Sequence, residues 1–233
     1  MATIPENLYR TQERIAAACA KAGRSAQSVT LLVVSKTFPP ADVRAAHAAG
    51  ARRFGENYVQ EALDKIADLA DIRSGTEWHL IGPLQSNKTK PVAEQFDWVH
   101  SVDRLKIAQR LSEQRPAELP PLNVCLQVNI SGEASKSGLA PGEVAALAQQ
   151  VAALPRLKLR GLMAVPEPAA NFEDQRIPHR ALAALQAKVE DEHGLTLDTL
   201  SIGMSADLEA AIAEGSTMVR VGSAIFGPRP KQA

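Results

Sequence analysis

Lys36 is the first residue of this sequence whose position suggests a chemical role. It follows the apolar run VTLLVVS at residues 29–35, and two prolines follow at positions 39 and 40. A lysine at the end of a buried strand can extend its ammonium group to solvent along its apolar stem. Alternatively, partial burial and a neighbouring cation can make its amine a nucleophile that forms a Schiff base. The run by itself leaves both interpretations open.

Arg220 presents a similar choice, because it lies between two valines in the run MVRVG. A buried arginine is costly unless its charge is paired. We therefore expect either a structural salt bridge from Arg220 to a carboxylate or a fixed cation that faces a ligand.

Ser205, Gly222 and Ser223 are candidates for binding an anion. Ser205 opens the stretch SADLEAAI and is expected to be the N-cap of a helix, whose N-terminus also attracts phosphate. Gly222 and Ser223 follow an apolar run, where glycine permits close backbone approach and serine adds an N–H and a hydroxyl. Asp207 and Glu209 count against a phosphate here unless their carboxylates point away.

The histidines and cysteines favour structural roles. His79 and His100 end apolar runs, but no carboxylate or cysteine stands at the spacing of metal ligands. Cys19 and Cys125 are far apart in the sequence, and Cys125 falls in the middle of a strand-like run. Two such thiols are typical of a protein in a reducing compartment.

The chain alternates short apolar runs with longer alanine-rich amphipathic stretches, which predicts about eight βα units behind one extra helix at residues 5–22. The predicted strands are 29–35, 51–56, 77–82, 97–102, 122–130, 157–165, 198–204 and 216–222. The predicted helices are 40–50, 57–70, 85–94, 103–114, 141–154, 175–193 and 205–215.

This alternation predicts an α/β fold, a single (β/α)₈ TIM barrel with an extra N-terminal helix. An open doubly wound sheet is the alternative, but such a sheet usually has a glycine-rich first turn, and the turn SKTFPP contains no glycine. In a closed barrel the last strand pairs with the first. Closure therefore predicts that Lys36, Ser205, Arg220 and Gly222-Ser223 lie close together at the carboxyl ends of the strands.

The composition excludes several classes of protein. Lys and Arg total 26 and Asp and Glu also total 26, so no net field favours nucleic acid or an anionic membrane. No apolar run approaches the ~18 residues of a membrane-spanning helix, and the N-terminal twenty residues lack the apolar core of a signal peptide. We expect a cytoplasmic protein that binds neither nucleic acid nor membranes.

Seven motifs occur in order at the ends of the predicted strands: VSKT, FGENYVQE, WHLIGPLQSNK, KSG, GLM, SIGMSAD and VRVGSAIFG. Together they closely resemble the pyridoxal phosphate homeostasis protein family (YggS or PROSC type), over nearly the whole chain. The resemblance implies a barrel similar to the N-terminal domain of alanine racemase. It also implies that residues 1–233 form a single domain that binds pyridoxal 5′-phosphate (PLP).

The resemblance also implies roles for the candidate residues. Lys36 would hold PLP as an internal aldimine, and Arg220 would face its pyridine nitrogen. Asn57 would lie beside the cofactor and Met163 near its ring.

The phosphate of PLP would be held by Ser205, Gly222 and Ser223 by the same resemblance. Two departures from the family pattern are visible. Residues 37–39 are Thr-Phe-Pro where a lysine-rich turn is common, which puts in doubt any relay through a second lysine there. Ser223 stands where threonine is frequent, and its hydroxyl should preserve the phosphate contact.

An arginine beside the pyridine nitrogen argues for a carrier. A carboxylate partner keeps that nitrogen protonated and the ring electron-poor, whereas arginine keeps its own proton and leaves the nitrogen unprotonated. Alanine racemase-like enzymes also use an opposing tyrosine backed by a second domain, and neither Tyr9 nor Tyr58 falls at an obvious opposing position. We therefore predict a monomer without efficient catalysis, which buffers PLP and delivers it transiently to PLP-dependent apo-enzymes.

Two alternatives remain open. A single-domain PLP-dependent amino-acid racemase or lyase would use Tyr58 or Lys136 as a second base. A barrel that binds another phosphorylated metabolite would use Lys36 only for ion pairing. Lys136, in the run SGEASKSGL, is either a solvated loop lysine or, by the resemblance, a secondary PLP contact.

Overall fold

Eight parallel strands close into a barrel in the computed structural model, which describes residues 2–133 and 137–228. Each strand pairs with the next along the chain, and the last pairs with the first. The strands are β1 (Thr30–Val34), β2 (Arg53–Glu56), β3 (Glu77–Leu80), β4 (Trp98–Val102), β5 (Leu122–Gln127), β6 (Leu157–Met163), β7 (Thr199–Ser201) and β8 (Met218–Val221). The predicted (β/α)₈ barrel is confirmed, and the open sheet is excluded.

The helices lie outside the barrel, and all but the first follow strands in sequence. They are α1 (Ile4–Lys21), α2 (Pro40–Ala48), α3 (Val59–Asp68), α4 (Thr89–Gln95), α5 (Leu105–Gln114), α6 (Val144–Ala152), α7 (Phe172–His193), α8 (Leu208–Ala213) and α9 (Ser223–Phe226). The extra N-terminal helix α1 begins in a capping box between Thr3 and Glu6 and packs against α8 and α9. The predicted N-terminal helix is thus present, and α9 is an element that the sequence pattern missed.

The closing pair of strands determines where the candidate residues lie. Leu32 of β1 is in register with Arg220 of β8. Gly222 comes directly after β8 and lies very close to β1. A Cβ atom at this position would lie 2.8 Å from the Val34 carbonyl oxygen. Only glycine permits this approach, and it brings the end of β8 next to Lys36.

The predicted role of Ser205 as a helix N-cap is wrong. Residues 205–207 form a turn, and α8 begins only at Leu208 with Asp207 as its N-cap residue. The Asp207 carboxylate accepts the Met204 N–H at 2.6 Å. This bond closes the turn and delays the helix, so Ser205 lies in the loop that follows β7.

Several predicted strands also extend too far at their carboxyl ends. Residues 128–130, 164–165 and 202–204 lie outside β5, β6 and β7. After β7 the chain bends at Gly203, whose φ is +100° and where a Cβ atom would lie 2.5 Å from the Ala211 Cβ. The apolar pattern continues past the strand there, but the backbone turns because glycine permits it.

The barrel interior differs from the layer between strands and helices. The outer layer is a large apolar cluster that includes Phe54, Trp78 and Phe96. The interior holds a smaller cluster of Leu32, Trp98, Cys125, Met163 and Met218, together with polar side chains. Within the described ranges, no helix is both long enough and apolar enough to cross a membrane.

Candidate functional site

A cavity of about 360 Å³ opens at the carboxyl-terminal face of the barrel. Its apolar walls include Phe38, Ile81 and Val165. Six of the seven residues predicted for the site line it: Lys36, Asn57, Ser205, Arg220, Gly222 and Ser223. Barrel closure therefore brings together side chains from opposite ends of the sequence.

Met163 is the seventh predicted residue, and it packs in the barrel interior. It is 1% exposed and lies with Leu32, Cys125 and Met218 in the small apolar cluster. Val165, two residues further along the same chain segment, lines the cavity. Proximity of Met163 to a bound ring therefore stays a prediction.

Lys36 is half-buried in a tight turn at the end of β1. The Phe38 N–H donates to the Ser35 carbonyl oxygen at 3.1 Å, which closes the turn around Lys36. Thr37, inside the turn, has a φ of 68°. The Phe38 ring stacks on Phe226 with ring centroids 4.7 Å apart. Phe38 lies where a lysine-rich turn is common in the family, and here it forms an apolar wall of the cavity.

Behind this turn lies a buried charged cluster. Lys65 Nζ lies 2.7 Å from Glu56 Oε1, 3.0 Å from Glu61 Oε1 and 2.9 Å from the Ser35 carbonyl oxygen. Ser35 Oγ donates to Glu56 Oε1 at 2.6 Å, and the Thr37 N–H donates to Glu61 Oε1 at 2.6 Å. The cluster thus bonds the backbone on both sides of Lys36.

Burial dominates the electrostatics of this cluster. The side chains of Lys65 and Glu56 are 3% and 0% exposed. Burial raises the pKa of Glu56, and the nearby Lys65 ammonium only partly offsets that rise. Sequence reasoning missed Lys65, although a signal existed, because Lys65 falls on the same face of α3 as the buried residues Ala62 and Ile66.

Arg220 is buried beside the cavity and is bound by neutral acceptors. Its guanidinium donates to the Ser201 carbonyl oxygen at 2.5 Å, to Ser201 Oγ at 3.0 Å and to the Ala164 carbonyl oxygen at 2.8 Å. Within residues 2–133 and 137–228, no carboxylate lies within salt-bridge distance of it. Burial lowers the pKa of Arg220 to about 10, so it remains a cation at neutral pH, and its role toward a ligand stays a prediction.

A chain of hydrogen bonds continues from Arg220 through the barrel interior. Ser201 Oγ lies 2.9 Å from His100 Nδ1, and His100 Nε2 lies 2.9 Å from His79 Nδ1. Burial lowers the pKa of His79 and holds the pKa of His100 well below its usual value. Both imidazoles are therefore neutral at pH 7, in keeping with their predicted structural roles.

Arg220 can only donate, so Ser201 Oγ accepts from it and keeps one proton and a second lone pair for His100 Nδ1. In the arrangement where the Ser201 proton has an acceptor, Ser201 donates to His100 Nδ1 and His100 donates from Nε2 to His79 Nδ1. The same arrangement places the His79 proton on Nε2, which lies 3.5 Å from Glu77 Oε2 near the opposite face of the barrel.

The Asp207 carboxylate near Ser205 already has two partners within the protein. It accepts the Met204 N–H and lies 3.1 Å from Nε2 of the buried His179 on α7. Burial disfavours the charged carboxylate, but the contacts with His179 and Met204 outweigh burial and lower the pKa of Asp207.

Glu209 pairs with a residue outside the cavity lining. It forms a bidentate pair with Arg14 of α1, with Arg14 Nε and Nη2 at 2.6 and 2.7 Å from its two oxygens. Arg14 Nη2 also donates to the Ser205 carbonyl oxygen at 3.0 Å, and Asn7 of α1 donates to the Ile225 carbonyl oxygen at 3.0 Å. The extra helix therefore fixes both loops predicted to hold phosphate.

Asn57 contributes an acceptor that no described residue occupies. Its Oδ1 atom is buried and has no hydrogen-bond partner within residues 2–133 and 137–228, although Asn57 lines the cavity. Gly82 packs so closely that a Cβ atom there would lie 2.2 Å from the Asn57 carbonyl oxygen. The backbone at Asn57 is thus held in place while its side-chain oxygen is available to a donor on a ligand.

A second cavity, of about 530 Å³, opens at the amino-terminal face. Charged residues line it, and four of them form two salt bridges, Arg53 with Glu77 at 3.3 Å and Arg160 with Asp198 at 2.8 Å. Lys36 lies at the other face, so the smaller cavity is the better candidate. Across the described part of the chain, no group of three or more His, Cys, Asp or Glu side chains is placed to hold a metal ion.

The two tyrosines lie away from the cavity. Tyr58 is 55% exposed at the start of α3, and Tyr9 is 61% exposed on α1, where it donates to Glu13. Neither belongs to the lining of the cavity. Lys136 lies outside the residues that the structure describes.

Comparison with known proteins agrees with this geometry. Residues 10–230 match the family model of the alanine racemase N-terminal domain. The chain is 63% identical over 229 residues to the pyridoxal phosphate homeostasis protein of Pseudomonas aeruginosa, with 98% of this chain and 97% of the relative covered. The chain belongs to the pyridoxal phosphate homeostasis protein family. The family member of Escherichia coli is 54% identical, with 98% of both chains covered.

A solved structure of the family is also similar. PipY of Synechococcus elongatus, determined with PLP bound, shares 39% sequence identity with this chain. The comparison covers 86% of this chain and 93% of PipY, with a TM-score of 0.80. The barrel described here is therefore the fold of the family.

Proposed function

We propose that this chain binds PLP in the 360 Å³ cavity and holds it through Lys36 as a Schiff base. It would serve intracellular PLP homeostasis by buffering the cofactor and delivering it, without efficient catalysis of its own. The observation that carries the proposal is the convergence of a primary amine, a buried guanidinium and two close-packed loops on one cavity. The complex of PipY with PLP supports the choice of ligand.

The residues present fit the functional groups of PLP. When bound, PLP supplies an aldehyde that a primary amine converts to an imine, and the described lysine that lines the cavity is Lys36. The loops at Ser205 and at Gly222-Ser223 offer N–H and hydroxyl groups to its phosphate. Asn57 Oδ1, which has no partner among the described residues, offers an acceptor, and Arg220 offers a donor to the ring nitrogen.

The same residues argue against efficient turnover. Arg220 keeps its proton because its pKa stays near 10, so a ring nitrogen that accepts from it stays unprotonated and the ring is a weak electron sink. In the part of the chain that the structure describes, neither tyrosine lines the cavity opposite Lys36. The curated relatives are named as homeostasis proteins.

The wider role follows from this proposal. We propose that residues 1–233 act as one PLP-binding domain and as a monomer, with PLP-dependent apo-enzymes as transient recipients. A cytoplasmic location is supported by Cys19 and Cys125, which are free and buried. Burial raises the pKa of Cys125 to about 12, which makes that thiol unreactive.

The test compares the visible absorbance of the wild type and of Lys36→Ala during titration with PLP. We expect a Schiff-base band in the wild type that borohydride traps on Lys36, and loss of that band in Lys36→Ala. No band in the wild type with saturating PLP would overturn the proposal, and would favour another phosphorylated ligand.

The alanine racemase domain match makes a single-domain racemase or lyase the second candidate. Exchange of the Cα proton of alanine with deuterated solvent separates the two functions. We expect exchange far below ordinary enzyme turnover of about 1–10³ s⁻¹. Exchange within that range would establish an enzyme.

A further inference from the structure

Thr37 has an unusual backbone conformation next to the lysine of the site. Among the described residues it is the one non-glycine residue with a positive φ, at 68°. A β-branched residue in the left-handed region is strained, and such residues persist only where their surroundings hold them. The structure must therefore contain contacts that hold Thr37, and with it Lys36.

The contact that holds Thr37 comes from α3. Glu61 Oε1 accepts the Thr37 N–H at 2.6 Å, and Lys65 Nζ lies 3.0 Å from the same oxygen. A hydrogen bond to a charged acceptor is stronger than one between neutral groups. Glu61 is thus anchored by Lys65 and in turn anchors the peptide group that follows Lys36.

The peptide group that precedes Lys36 is held by the same cluster. Lys65 donates to the Ser35 carbonyl oxygen at 2.9 Å, and Glu56 accepts from Ser35 Oγ at 2.6 Å. Since Glu56 and Lys65 are almost fully buried, these bonds are shielded from water. Both ends of the lysine backbone are therefore fixed by residues that do not line the cavity.

We infer that Glu61, supported by Lys65 and Glu56, is a positioning residue that controls how fast Lys36 captures and releases PLP. The inference rests on the proposed function. In capture, the neutral Lys36 amine attacks the aldehyde carbon, water leaves and a C=N bond forms; release consumes one water and restores the aldehyde. The cluster fixes the approach of the amine, whereas the loops at Ser205 and Gly222 hold the phosphate.

The first test removes the acceptor. Glu61→Leu should slow Schiff-base formation, followed by stopped-flow absorbance after mixing with PLP, by roughly 10-fold or more, because misplacing a reacting group by about 1 Å can cost 10²-fold. Glu61→Gln keeps an oxygen that can accept the Thr37 N–H and should retain most of the rate. Affinity for pyridoxine 5′-phosphate, which has no aldehyde, should stay within roughly twofold of wild type for both variants, since the phosphate loops are unchanged.

The second test removes the need for the contact. Glycine adopts positive φ freely, so Thr37→Gly combined with Glu61→Leu should recover most of the wild-type rate. A purely structural loss would not be rescued this way. A wild-type rate in Glu61→Leu, or no recovery of the rate in the double variant, would overturn the inference. The proposed function would still stand in that case, provided that the wild-type protein shows its Schiff-base absorbance band. Absence of the band in the wild type would instead remove the proposed function, and the inference with it.

Discussion

The two basic residues at the cavity, Lys36 and Arg220, are held in place by two different kinds of polar contact. Behind Lys36 lies the ionic cluster of Glu56, Glu61 and Lys65, which bonds the backbone on either side of it. Behind Arg220 lies a neutral chain of Ser201, His100 and His79, which ends near the opposite face of the barrel. One support is charged and local, and the other is uncharged and spans the barrel interior.

The difference follows from what each cation must do under the proposed function. An amine that forms a Schiff base must lose its proton in the reaction, so its backbone is held and its side chain faces the cavity. A guanidinium that donates to a ring nitrogen must keep its proton, so its acceptors are neutral and need no second charge. The comparison suggests that support for a reactive lysine acts through its main chain, and support for a fixed arginine through its side chain.

The largest effect should come from breaking the ionic cluster. Lys65→Met leaves Glu56 buried without its counter-ion, which should lower the free energy of unfolding by about 3–5 kcal/mol. Urea unfolding measures the change. Lys90→Met is the matched control, because Lys90 is 71% exposed and lies 3.9 Å from Glu94, and it should change stability by less than ~1 kcal/mol. Equal losses in the two variants would mean that the cluster is not effectively buried.

Low pH should reduce the stability that comes from the buried hydrogen-bonded series of Ser201, His100 and His79. Burial lowers the pKa values of His79 and His100 in the folded protein, while the unfolded chain keeps values near ~6.5. The unfolded chain therefore binds protons first as the pH falls, so stability is fully present above about pH 6.5 and declines below it. Two histidines at about 1.36 kcal/mol per pH unit each give a loss of up to roughly 2.7 kcal/mol between pH 6 and pH 5.

The matched variants for this pH effect are His100→Asn and His79→Asn. Each removes one titrating group, so each should flatten the dependence of unfolding free energy on pH by up to about half. A dependence as steep as that of the wild type in both variants would show that other groups cause it.

The smallest effect should come from removing the Ser201 hydroxyl from the hydrogen-bonded series behind Arg220. Ser201→Ala leaves His100 Nδ1 without its hydrogen-bond partner, at a cost of about 1–3 kcal/mol. Arg220 keeps the carbonyl oxygens of residues 201 and 164, so the rate of Schiff-base formation should stay near that of the wild type. Ser74→Ala, at an exposed position, should be neutral in unfolding and in rate. Slower Schiff-base formation in Ser201→Ala would mean that the hydrogen bonds behind Arg220 also affect the reaction of Lys36.

Much of the fold was predictable, because strands and helices follow from local periodicity. The eight apolar runs and the amphipathic stretches between them predicted the barrel, and closure predicted that Lys36, Arg220 and Ser205 lie close together. The exceptions are short-range details of the backbone. The start of α8 moved from Ser205 to Leu208 because Asp207 bonds the Met204 N–H, which no periodicity indicates.

The chemistry around the cavity was harder to predict, as the acids near Ser205 illustrate. Asp207 and Glu209 count against an anion site when only their spacing is known. Their partners, His179 and Arg14, lie far away in the sequence, and only packing of α7 and α1 against α8 brings them together. Distant pairs of this kind leave no local pattern.

The sequence by itself determined the barrel and the presence of an amine, a guanidinium and glycine-bearing loops at one face of it. These depend on periodicity and on the residue at each strand end, both of which are local. The tertiary structure decided how the two cations are supported, since the contact from Lys65 to Ser35 and the chain from Arg220 to His79 join residues of different elements. Whether Lys36 is an isolated lysine or one held by a buried ionic cluster depends on those contacts.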